Sequence, residues 1–399
     1  MIAKASSSND SALNYISFII FLPIFIPTFG SGFINGIEEL PWFLMLLPFI
    51  GSWKKIDLTV MLSVVIIALC QAIYLKVSET IIFINAIKLL NFLSPIMLLW
   101  TNNIIDTLSK AAGVALFLNI IVSLLQYFGI YDPFYTIHDL FFSRSTSVLD
   151  GSYRGVSGFY SEPARAGYYI ALTIFFKNIK YFLGDSSNFK LVSIEIFSYA
   201  IFLIIIFSSM TSYFYALVLI SLWFVAIPKK GFFSKGFMLM VFLIFLTTIF
   251  LFINTSPKVE MIMEASSLGW QSIYQTLKLI SGGRFFAMEQ MILAIWMNPF
   301  GSFFNGELFH YGQFESNQVF DGYRQQYRFI ATSSILFYTY ILGLCGVIYI
   351  FLKYNNVFLK PIGVIVLISS LLYSPVSSPF LLIAFEILRK KNLEDIKNE

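Results

Sequence analysis

Residues 153–167 read Y-R-G-V-S-G-F-Y-S-E-P-A-R-A-G and gather Arg154, Glu162, Pro163 and Arg165 in one short stretch. The stretch lies between two long apolar runs, at the mouth of a segment apolar enough to span a bilayer. Charges at a membrane mouth are costly unless something uses them. Guanidinium groups offer a planar fork of donors that matches phosphate and carboxylate. Pro163 suits the first turn of a helix, where its missing N–H costs nothing. Glu162 then stands beside the positive end of the helix dipole. The plain alternative is that Glu162 only starts a helix and pairs with Arg154.

A second group lies further on. Ser281-Gly282-Gly283-Arg284 leads into an apolar run, 285–297, broken by Glu289 and Gln290 and closed by N-P-F-G at 298–301. The run is too short to cross a bilayer, so it is expected to pack on, or dip into, a helix bundle. Arg284 at its start gains nothing from the dipole; an anion bound at that N-terminus would explain it, and a hydrated surface arginine is the alternative. His310, Glu315, Asp321, Arg324 and Arg328 follow within residues 307–328. His310 and His138 are the chain's two histidines, and either is suited to general-base work near neutral pH. For His138, beside Asp132 and Asp139, a polar loop cap is the better reading; for His310 both readings stand. Tyr, Gln and Asn crowd around both, as on sugar-binding surfaces.

The elements that must hold these residues are helices in a membrane. The chain is 58% hydrophobic and 12% charged, where soluble domains carry about 25% charged residues. Apolar runs are expected to span at 15–28, 40–50, 58–75, 81–100, 111–130, 164–176, 191–207, 211–227, 236–254, 331–352 and 362–372. A twelfth, 379–388, is short and either spans or lies in the interface. Two large loops, 131–163 and 255–330, interrupt a single integral membrane domain, 1–399. The N-terminus is expected to lead, uncleaved, into the first helix. With that terminus inside, the positive-inside rule is met at Lys54, Lys55, Lys177, Lys180, Lys229, Lys230, Lys390 and Lys391. Both termini are then cytoplasmic.

In that topology six of the seven arginines, Arg144, Arg154, Arg165, Arg284, Arg324 and Arg328, face outward in the two loops, while the inside uses lysine almost alone. Lysine suffices to orient a membrane protein. Arginine concentrated on one face points to an anionic ligand there, such as a pyrophosphate. Within the spans, Lys88 and Glu195 are the expected charges. Lys88, with Asn85 and Asn91, should face the bundle interior, and Glu195 should pair with a loop lysine at the cytoplasmic end. Cys70 and Cys345 fall in apolar runs and read as packed thiols. No D-x-D, H-E-x-x-H, P-loop or G-x-S-x-G motif occurs, so a reaction without metal, nucleotide or other cofactor is expected.

The spacing R-x3-G-x3-E-P-x3-G, at Arg154, Gly158, Glu162, Pro163 and Gly167, resembles that of the bacterial O-antigen polymerases (Wzy-type). So do S-G-G-R before a helix and N-P-F-G, and G-x-x-G at Gly343–Gly346. The layout of about twelve helices with two large periplasmic loops is similar too, and is shared with the O-antigen ligases. The ligase pattern usually has a histidine late in the second loop, a part His310 would fit.

The resemblance implies an all-α, GT-C-like membrane glycosyltransferase of the bacterial inner membrane. It would act on undecaprenyl-pyrophosphate-linked oligosaccharides at the periplasmic face, among membrane lipids, with a chain-length regulator as a partner and no nucleic acid. Arg154, Glu162, Arg284 and His310 are then the candidate catalytic residues. Arg144, Arg165, Arg324 and Arg328 are the candidate substrate-binding residues. The alternatives are a ligase that moves finished polymer to lipid A core, a flippase or transporter of the lipid-linked repeat, and a non-catalytic assembly scaffold. Transporters place charges in a central cavity, often with repeat symmetry. A scaffold has no need of arginines gathered on one face.

Overall fold

The computed structural model describes residues 18–19, 21–22, 24–26, 66, 90–130, 156, 158–160, 163–184, 189–207, 209–226, 257–280, 292, 295–296, 299, 334–372 and 379–398. Among the described residues the chain is all-α, with no strand. The helices are α1 (Asn102–Tyr127), α2 (Pro163–Lys177), α3 (Phe189–Phe202), α4 (Met210–Ala226), α5 (Pro257–Ser267), α6 (Trp270–Ile280), α7 (Ser334–Phe358), α8 (Pro361–Leu372) and α9 (Phe380–Asn398). Among the described residues two stretches are long and apolar enough to cross a membrane: α1, and the run Lys190–Phe207. The second of these ends in a π-helical turn, Leu203–Phe207.

α2 is the innermost helix. Every residue from Ala166 to Phe176 is buried, and the helix packs against α1 on one side and α4 on the other. Phe380, at the start of α9, lies among Phe25, Tyr168, Tyr169 and Phe176 with ring centroids 5.3, 6.3, 5.7 and 5.6 Å away. Residues 380–388 of α9 are all buried. Apart from Glu386 the run is apolar all round, as a helix inside a core is, so it does not lie on the surface of the bundle. The outer helices are apolar on the opposite face as well. Phe117, Ile194, Ile201, Ile348 and Phe351 are exposed.

Charged groups gather at one end. Lys180 meets Asp106 at 2.8 Å, Lys390 bonds to Asn102, and Lys177 pairs with Glu195. The Ser109 hydroxyl donates to the Lys177 carbonyl at 2.6 Å. The start of α1, the end of α2 and the basic part of α9 therefore share this end. The pairing of Glu195 with a lysine follows the expectation from sequence, as does the full burial of Asn91.

Several expectations need correction. α1 begins nine residues before the predicted 111, because Thr101 caps it through a hydrogen bond from Ile104 N–H at 3.3 Å. Polar Asn102, Asn103 and Asp106 kept that turn out of the apolar window. The loop 255–330 holds, besides the apolar run expected at 285–297, two helices that the sequence reading does not mark, α5 and α6, joined at Gly269, whose φ is +102°. Lys88 and Glu195 are not the sole charges within the apolar runs. Glu386, in α9, is buried against Tyr354 Oη at 2.7 Å, Lys353 Nζ at 3.6 Å and Arg389 at 3.6 Å. The sequence reading does not single out Glu386. Lys88, Asn85 and Cys70 lie outside the described residues.

α7 is broken at Gly343, where φ is +65° and ψ is −167°. That conformation is open to glycine at little cost. The break frees the Leu344 N–H, which donates to the Pro299 carbonyl at 2.7 Å. Pro299 belongs to N-P-F-G, so the end of the second loop's apolar run reaches the interior of α7. Ile292, Ile295 and Trp296 of that run are helical, as the sequence predicts.

Candidate functional site

The segment that carries the signature enters the bundle at the end of α1. α1 stops at Gly129, whose φ of +66° lets the Gly129 and Ile130 N–H groups turn back to the carbonyls of Gln126 and Leu125. One turn earlier Asn119, Ser123 and Gln126 line one face, at helical spacing. Gln126 Oε1 accepts the Gly158 N–H at 2.9 Å. Gly158 has φ +60°, and a Cβ there would stand 2.7 Å from Ser123 Oγ. Gly158 thus serves both a left-handed turn and a close approach.

Two residues on, Tyr160 is fully inside. Its hydroxyl donates to the Phe25 carbonyl at 2.8 Å, and its ring stacks on Tyr169 at 5.1 Å. Burial pushes the Tyr160 phenol far above its ordinary pKa, so it stays neutral and acts as a peg. The chain then starts α2 at Pro163, the first helical position, as its ring prefers. Arg165 lies in the first turn of α2 and is half-buried. A cation there opposes the helix dipole, so its place is not explained by helix stability.

Gly167, one turn deeper, faces α4. A Cβ at this position would meet Ser212 Oγ at 2.7 Å and Ser212 Cα at 2.9 Å. Ser212 in turn bonds to Ser209, which caps α4. The Ser212 contact is with backbone as well as side chain, so no rotamer change relieves it. Gly167→Ala is expected to force α2 from α4 at about 1–3 kcal/mol, read as a lower melting midpoint of the purified protein. Ser212→Ala should fail to restore it. An unchanged midpoint in Gly167→Ala would mean the two helices are not in close contact.

Of the candidate residues, Arg165 is the one among the described residues. Arg144, Arg154, Glu162, Arg284, His310, Arg324 and Arg328 lie outside them, as does His138. What the fold does establish is the setting of two signature glycines. Gly158 and Gly167 are each a point where main chain presses against a neighbouring helix, α1 and α4 respectively. Sequence reasoning missed Asn119, Ser123 and Gln126. Their signal was available as three polar residues at i, i+4 and i+7 in an apolar run. It missed the buried Glu386 cluster too. No group of three or more metal-ligating side chains occurs among the described residues.

Comparison with protein-family models, curated proteins and solved structures gives no match for this chain.

Proposed function

We propose that this chain is a multi-pass inner-membrane glycosyltransferase that polymerises undecaprenyl-pyrophosphate-linked oligosaccharide repeats, in the manner of an O-antigen polymerase. The observation that carries the reading is the placing of six of seven arginines on one side of the predicted topology, five of them in the two loops and the sixth, Arg165, in the first turn of α2. The apolar outer faces of α1, α3 and α7 support a bilayer setting, because a soluble bundle of this size rarely leaves so many large apolar groups open. About twelve spans, with both termini in the cytoplasm, complete this reading.

The reaction asks little covalent chemistry of the protein. An acceptor sugar hydroxyl on the incoming repeat attacks the anomeric carbon of the growing chain. The bond to undecaprenyl pyrophosphate breaks, the pyrophosphate takes the electron pair, and the hydroxyl proton goes to a base. Pyrophosphate is already a good leaving group, so stabilising its negative charge is the main task. Arg154 and Arg284 are assigned to the departing pyrophosphate. Glu162 either orients Arg154 or accepts the proton, and His310 is the other candidate base. Arg144, Arg165, Arg324 and Arg328 are assigned to the second pyrophosphate or the polymer. A lateral groove between helices would take the two polyprenyl tails.

A lipopolysaccharide gel from a strain lacking this chain tests the reading. The expected result is core carrying a single repeat, with no ladder, and recovery of the ladder on complementation. Bare core with long polymer on the lipid carrier would make the chain a ligase instead. Bare core with unpolymerised repeats would make it a flippase. An intact ladder, where no second polymerase is present, would refute all three.

A further inference from the structure

We infer that Gln126 is a positioning residue: it anchors the turn at Gly158 and so sets the placement of the signature segment that leads to Arg165. Its effect on catalysis rests on the polymerase reading, whereas the anchoring itself rests on geometry alone.

Gln126 stands in the last turn of α1, which Gly129 then terminates, so its side chain projects from a fixed end rather than a fraying one. Its Oε1 accepts the Gly158 N–H at 2.9 Å. Gly158 lies four residues from Arg154 and four from Glu162 in the sequence, and seven from Arg165. One hydrogen bond therefore holds the described turn that precedes α2. Sterics reinforce it, because the Ser123 hydroxyl leaves no room for a side chain at Gly158. Beside them Asn119 Oδ1 and Ser123 Oγ are buried and have no hydrogen-bond partner among the described residues. Such atoms cost stability, so packing alone does not account for polar residues on this face of α1. On the far side of the turn, Tyr160 fastens to the Phe25 carbonyl. The turn is thus held at both ends, and Gln126 is the bond that fixes its outer end.

The test compares the full-length protein in detergent with Gln126→Leu, which removes the acceptor but keeps an apolar-compatible helix, and with Gln126→Glu, which keeps an oxygen at the same reach. Hydrogen exchange of the peptide spanning residue 158 is measured in all three. Polymerisation is measured with undecaprenyl-pyrophosphate-linked repeat extracted from the deletion strain. Gln126→Leu should exchange faster at this peptide and lose roughly 10- to 100-fold in kcat with KM nearly unchanged. Gln126→Glu should restore both. Equal exchange in wild type and Gln126→Leu overturns the anchoring, whatever the activity. Faster exchange with wild-type kcat, while Arg154→Ala abolishes polymer, overturns the positioning role and leaves the polymerase reading standing. Wild-type protein that makes no polymer defeats the polymerase reading and the catalytic consequence with it, and the exchange result still decides the anchoring.

Discussion

Glu386→Ala is expected to destabilise the protein by about 3–5 kcal/mol, the range for breaking a buried ion pair on one side. Glu386 and Lys353 are 3% and 8% exposed at their side chains, so neither reaches water freely. Removing the carboxylate strands the Lys353 ammonium beside Tyr349 Oη, 3.3 Å away, and takes from Tyr354 the acceptor of its hydroxyl. Arg389, one turn along α9, is 33% exposed and can turn outward, so it relieves little of the loss. The cost should fall when the stranded charge goes too: Lys353→Met with Glu386→Gln should recover most of the stability. Denaturant unfolding of the purified protein measures both. A Glu386→Ala variant within 1 kcal/mol of wild type would show that the cluster is wet. This cluster joins the C-terminal half of the broken α7 to α9, the helix whose Phe380 reaches the rings of α2. Damage there should therefore reach the signature segment through packing, without any contact to it.

The second large effect concerns chemistry. On the proposed polymerase reading, Arg154→Ala and Arg284→Ala are each expected to lower polymerisation by about 100- to 1,000-fold, the loss that follows removal of one preorganised donor to a developing anion. Lysine at either site should recover only part, since it supplies charge without the planar fork. Melting midpoints of these variants should stay near wild type if, as the predicted topology has it, both lie in outer loops, where charges add little to stability. Glu162→Gln separates the two roles given to Glu162. A loss comparable to the arginine variants fits either role, whereas full activity would remove Glu162 as the base and leave His310 as the candidate. If both arginine variants formed a normal ladder, pyrophosphate stabilisation would have to be assigned elsewhere. Double variants should be less than additive if both arginines grip one leaving group.

Sequence alone determined the helical class, because runs of about 20 apolar residues admit few other structures. It placed α2, α4 and α8 to within a residue or so, since Pro163, Pro361 and the flanking polar residues mark their ends. It singled out Gly158, Gly167 and Gly343 by spacing, without saying what each glycine is for. Tertiary structure decided that. Gly158 is pressed to Ser123, Gly167 to Ser212, and the break at Gly343 opens the Leu344 N–H to the Pro299 carbonyl, contacts between residues 35, 45 and 45 positions apart. Such pairings leave no periodic trace in a chain, because they depend on which helix faces are brought together. The same holds for Glu386, whose partners Tyr354 and Lys353 meet it only because α7 and α9 are packed side by side.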